Sequence, residues 1–135
     1  MSSTDKVVKF LQEAKTFYIA TVDGEQARVR PFGVAANIDG KVSICTGSEK
    51  NVYKQIQKNP RVEISAMTDD GRWIRLYGSL VDNTTTINQG KIFEVMPSLR
   101  NMYKNNLSTF RVLSFNSGRA IIQDFSGYKE EIELE

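Results

Sequence analysis

Three Asx-Gly turns, set between runs of β-branched and aromatic residues, constrain this chain more than anything else in it. Asp23-Gly24 separates a strand over 17–22 from one over 26–36, Asp39-Gly40 leads into a strand over 41–46, and Asp69-Asp70-Gly71 joins 61–68 to 72–82. An Asp-Gly pair supplies the positive φ angles that tight hairpins need, so each turn joins antiparallel neighbours. Several short strands connected in this way predict an antiparallel barrel or a strongly curled sheet.

Helices fit between these hairpins. Ser2, Ser3 and Thr4 offer N-caps, Asp5 falls in the first turn, and Val7, Val8, Phe10, Leu11 and Ala14 recur at helical spacing, so the chain opens with an amphipathic helix. Ser48 is placed to cap a short helix over 49–58, which Asn59-Pro60 stops because proline disfavours helical geometry in the residue before it. Thr84, Thr85 or Thr86 caps a helix carrying Ile87, Ile92, Phe93, Val95 and Met96, and Pro97 ends it. A short helical piece through Leu99, Met102 and Tyr103 follows. Strands over 109–115 and 119–125, joined by a turn at Asn116-Ser117-Gly118, come next, with the acidic segment 128–135 as a further candidate. The order is that of a β-rich α+β fold. With 135 residues, 40% hydrophobic and 25% charged, residues 1–135 are expected to form a single domain with a real core.

A net charge of +2 gives no general electrostatic case for nucleic acid or a membrane surface, so any basic site must be local. Cys45 is the sole cysteine and cannot form an intramolecular disulfide. No N-terminal run resembles a signal or membrane span, and the expected compartment is the reducing cytoplasm. The chain has no histidine, which removes the usual general base, zinc ligand and haem ligand together. The carboxylates fall in turns, helix starts and the tail, so neither paired-acid catalysis nor a metal site is expected. Chemistry here would be carried by a bound cofactor.

Two segments could hold such a group. In Arg28-Val29-Arg30-Pro31-Phe32, alternation puts Arg28, Arg30 and Phe32 on one face and Val29 and Pro31 on the other, while Pro31 marks interrupted pairing. Thr46-Gly47-Ser48 lies between a strand and a helix, where hydroxyls and free N–H groups can surround an anion. Lys50 in the first helical turn opposes the helix dipole unless a negative group is bound there. The same residues also suit a solvated edge strand and an ordinary capped helix. Trp73 and Arg75 alternate with Ile74 and Leu76, a pattern that serves equally for core packing or for covering an aromatic ligand.

These motifs resemble the pyridoxamine 5′-phosphate oxidase-like family, the FMN-binding split barrels, over nearly the whole chain. The resemblance rests on Arg28-Val29-Arg30-Pro31-Phe32, on Val42-Ser43-Ile44-Cys45-Thr46 with Ser48, Lys50 and Asn51 after it, on Asn59-Pro60-Arg61-Val62, and on Trp73-Ile74-Arg75-Leu76-Tyr77-Gly78. It implies a six-stranded antiparallel split β-barrel with flanking helices that forms a homodimer, with FMN sites at the subunit interface. By the same resemblance Arg28, Val29, Arg30 and Pro31 lie along the flavin and its ribityl chain, Thr46, Ser48, Lys50 and Asn51 lie around the phosphate, and Trp73 faces the site. The implied function is that of a flavoprotein oxidoreductase acting on a small molecule with NAD(P)H as electron donor. A non-catalytic flavin carrier or sensor and a deazaflavin-binding reductase are the alternatives. The chain lacks the arginine- and proline-bearing C-terminal segment of pyridoxamine phosphate oxidases, which points away from vitamin B6 oxidation.

Overall fold

A computed structural model describes residues 1–134. The last residue of the expected tail strand, Glu135, lies outside the described residues. Helix α1 (Ser3–Ala14) starts at Ser2, whose hydroxyl accepts from the Asp5 amide at 3.0 Å. Its apolar stripe, Val7, Val8, Phe10 and Leu11, is buried.

Eight strands form one antiparallel sheet: β1 (Phe17–Asp23), β2 (Gln26–Phe32), β3 (Ala36–Ile38), β4 (Lys41–Gly47), β5 (Arg61–Met67), β6 (Trp73–Asp82), β7 (Phe110–Gln123) and β8 (Lys129–Leu134). Their spatial order is β2-β1-β5-β6-β7-β4-β3, with β8 also pairing with β7. The sheet curls around Phe17, Ile19, Ile44, Ile64, Ile74, Leu76 and Phe115, and α1 packs over β3, β4, β5 and β8 to close the open side. This is the expected β-rich split barrel, with eight strands rather than six. A smaller apolar cluster of Ile38, Ile92, Phe93, Phe110 and Val112 packs under α3 (Thr86–Val95), and α4 (Ser98–Tyr103) lies beside it. Thr85 is the cap of α3, its hydroxyl accepting from the Asn88 amide at 3.0 Å.

Three local expectations are corrected. The strand expected over 26–36 ends at Phe32, where its partner β1 begins at Phe17, and pairing resumes only at Ala36 against Ser43 of β4. The turn expected at Asn116-Ser117-Gly118 is instead the middle of one continuous strand, β7. That strand lies along β6 over 113–123 with a bulge at Asn116, pairs with β4 over 110–114 and with β8 over 118–123. Gly78 and Gly118 face each other in this register, and a Cβ on Gly78 would meet Ser117 O at 2.0 Å. The small residues that look like a turn are there because two strands approach closely. Finally, α2 (Asn51–Lys58) begins two residues later than expected, with Lys50 rather than Ser48 at its N-cap. The Ser48 amide is bound to Thr109 O at 2.8 Å, and Lys50 N turns back to Gly47 O at 3.1 Å, so the chain makes a tight turn before the helix can start.

Candidate functional site

Edge strand β2 and helix α2 meet at a cleft of about 520 Å³ lined by Asp23, Arg28, Arg30, Lys50, Asn51, Val52 and Gln55. The register places Arg28 opposite Thr21 and Arg30 opposite Ile19, on the inward face of the sheet. The barrel core ends at this edge, so the two guanidinium groups extend toward the start of α2.

The two arginines are held differently. Arg28 Nε donates to Asp23 Oδ2 at 3.0 Å in an exposed pair. Arg30 Nη1 donates to Thr21 Oγ1 at 2.7 Å and Ile19 O at 3.3 Å, and Nη2 donates to Gln55 Oε1 at 2.7 Å. The Thr21 hydroxyl in turn donates to Gln55 Oε1 at 2.6 Å. Burial and then the adjacent Arg28 charge push Arg30 below its ordinary pKa.

The N-terminus of α2 has no side-chain cap. Its first-turn amides and their partial positive charge open beside Arg28, Lys50 and Asn51, and no acidic residue occupies the first turn. Guanidinium, ammonium and free backbone N–H groups in one cleft are the donor set that holds a phosphoryl or similar anion.

Four of the nine expected residues, Arg28, Arg30, Lys50 and Asn51, therefore share one cleft. The others lie elsewhere. Val29 and Pro31 point to the opposite, outer face, where Val29 is 68% exposed. Thr46 is buried on the face of β4 that carries Val42 and Ile44, and Ser48 is tied through its amide to Thr109. Trp73 is on the outer face at the start of β6, packed on Phe125 with ring centroids 4.9 Å apart. The row Arg28, Thr21, Val62, Gly78 crosses four strands, and Trp73 is displaced from it by about 17 Å along the strand direction. Sequence reasoning missed Gln55 and Thr21. Gln55 follows Asn51 by one helical turn, a spacing that could have found it.

Cys45 is half-buried against the smaller cluster, and burial pushes its thiol up to about 12, so it is no ready thiolate. Behind the cleft, Tyr53 of α2 donates to Asp82 Oδ2 at 2.5 Å, and Arg111 Nε donates to the same oxygen at 3.0 Å. This pins the buried side of α2 to β6 and β7.

A curled antiparallel sheet with a basic cleft between its edge strand and an uncapped helix defines a split-barrel protein. The family model for pyridoxamine 5′-phosphate oxidase matches residues 3–114, and the chain belongs to that family. A NimC/NimA family protein from Clostridium acetobutylicum is 37% identical, with a TM-score of 0.93 over 99% of this chain and 95% of that one. A pyridoxamine 5′-phosphate oxidase-related, FMN binding protein from Nostoc punctiforme shares the fold at 11% identity and a TM-score of 0.56, covering 98% of this chain and 93% of that one. A heme binding protein from Mycobacterium smegmatis does so at 12% identity and a TM-score of 0.75, covering 98% of this chain and 58% of that one. The comparison with curated proteins gives no match. No helix among the described residues is long and apolar enough to cross a membrane.

Proposed function

We propose that this chain is a homodimeric FMN-binding flavoprotein that passes reducing equivalents from NAD(P)H to a small molecule. The observation that carries the reading is the convergence of Arg28, Lys50 and Asn51 on the uncapped N-terminus of α2. A phosphate monoester fits that donor set, and an FMN binding protein stands among the proteins of the same fold. When bound, FMN supplies a ring that accepts or gives a hydride. The chain's own groups would do the rest: Arg28 and Lys50 neutralise the phosphate, the α2 amides fix its oxygens, and Arg30 holds the edge strand against the helix.

A second copy is favoured by the outer face of β1, β2, β5 and β6. It exposes Tyr18, Val29, Met67 and Tyr77 across adjacent strands around the exposed Glu63–Arg75 pair, a mixed face whose apolar area a second copy would cover. Val29, Pro31 and Trp73 lie on this face, so in a dimer they would be near a cofactor held between subunits rather than in the cleft of their own chain.

Purified protein that is yellow, has flavin absorbance and bleaches anaerobically with NADH or NADPH supports the full reading. Flavin absorbance without reduction by either nucleotide reduces it to a carrier or sensor. Apoprotein that takes up neither FMN nor a deazaflavin overturns it, and sedimentation at the mass of one chain overturns the dimer.

A further inference from the structure

We infer that Gln55 is a direct ligand of the anion in this cleft, and that Arg30 acts through it. The inference rests on reading the cleft as a flavin phosphate site. A guanidinium can only donate, so the Gln55 atom facing Arg30 Nη2 at 2.7 Å must be the carboxamide oxygen. Thr21 Oγ1 is already an acceptor from Arg30 Nη1 at 2.7 Å, so its own proton goes to the same Oε1 at 2.6 Å. Both lone pairs of Oε1 are then engaged. The amide cannot flip without setting donor against donor at Arg30 and leaving the buried Thr21 hydroxyl without an acceptor, which fixes Nε2 on the other branch.

That Nε2 makes no hydrogen bond among the described residues, and Gln55 lines the cleft with Arg28, Lys50 and Asn51. Asn51 and Gln55 stand one turn apart on the same face of α2, so Nε2 lies alongside the anion site at the helix start. Arg30, whose Nη1 donates to Thr21 and Ile19 O and whose Nη2 donates to Gln55, has the role of a positioning residue. It holds the carboxamide in the one orientation that offers N–H to the cleft, while Arg28 and Lys50 contribute charge.

Two substitutions separate the donor from the scaffold. Gln55→Glu keeps an acceptor for Arg30 and Thr21 but removes the N–H and places negative charge in the cleft. Gln55→Met is neutral, of similar size, and offers neither. Apoprotein of each, with folding checked by circular dichroism, is titrated with FMN, with riboflavin and with inorganic phosphate, the last followed by amide NMR shifts of Asn51 and Val52. Loss of a hydrogen bond to a charged phosphate should weaken FMN about tenfold in Gln55→Met and more in Gln55→Glu. Riboflavin affinity should stay within about twofold, and the phosphate shifts should disappear in both.

Wild-type FMN affinity in either variant overturns the role of Gln55 while leaving the flavin reading standing. A wild-type protein that binds inorganic phosphate but not FMN, with phosphate lost in both variants, keeps Gln55 as an anion ligand and removes the flavin. Binding of neither by wild type overturns both.

Discussion

Arg30 of β2 and Gln55 of α2 are joined by a 2.7 Å hydrogen bond from guanidinium to carboxamide oxygen, across the gap between the barrel edge and the helix that caps it. Edge strand β2 pairs on one side only, with β1. The bond therefore ties the edge strand to α2 beside the cleft.

The two arginines of this strand should respond oppositely to substitution. Arg30→Met removes the donor to Thr21 and Gln55 at a half-buried site and should cost about 1–3 kcal/mol in urea unfolding. Arg28→Ala loses only an exposed pair with Asp23, so stability should change by less than about 1 kcal/mol. Its effect should instead appear as weaker FMN binding in fluorescence titration. Equal stability losses would remove the distinction drawn between them.

Lys50→Glu should weaken FMN binding while leaving the fold intact, because Lys50 is exposed at the start of α2. Wild-type affinity for FMN should fall with added salt, and riboflavin affinity should fall less, since the cleft charges are at the surface and readily screened. Unchanged FMN affinity in Lys50→Glu would take Lys50 out of the phosphate site.

Asp82 gives the acid limb of stability a recognisable contributor. Burial raises its pKa, but hydrogen bonds from Thr84, Tyr53 and Arg111 outweigh this and leave it below the ordinary value of 3.8. Its contribution is therefore fully present above that value and is lost as pH falls through the lower folded-state pKa. Asp82→Asn should destabilise the protein by about 1–3 kcal/mol at neutral pH, and the gap from wild type should narrow at strongly acid pH. Urea midpoints measured against pH test this, and a constant gap would contradict it.

Gly78→Ala should prevent proper pairing of β6 with β7. The added methyl would lie 2.0 Å from Ser117 O and 2.7 Å from the Gly118 Cα, both backbone atoms that cannot swing aside. The expected outcome is insoluble protein or a loss of at least about 3 kcal/mol, beyond the usual cost of overpacking. A well-folded variant with wild-type melting would show that the strands can separate at this crossing.

Much of the architecture was legible because it follows from local geometry. Asp39 and Gly40 both take positive φ in their turn, Gly24 and Gly71 take it alone in theirs, Thr85 caps α3, and the period of two puts Arg28 and Arg30 opposite Val29 and Pro31. These are properties of a few consecutive residues, and such residues carry them into any fold.

What the sequence by itself determined is thus most of the turns and helices, the faces the strands present and the family, and with the family the expectation of a phosphate-bearing flavin. Only the tertiary structure decided which chemistry-bearing residues meet. It ran β7 through Asn116-Ser117-Gly118 with a bulge at Asn116, because β6 pairs with the strand before and after that point and β8 joins it from Gly118. It also set Trp73 far from Arg28 and brought Gln55 to Arg30 across a sequence separation of 25. Such meetings depend on the register and curl of the whole sheet, which long-range pairing and burial fix together.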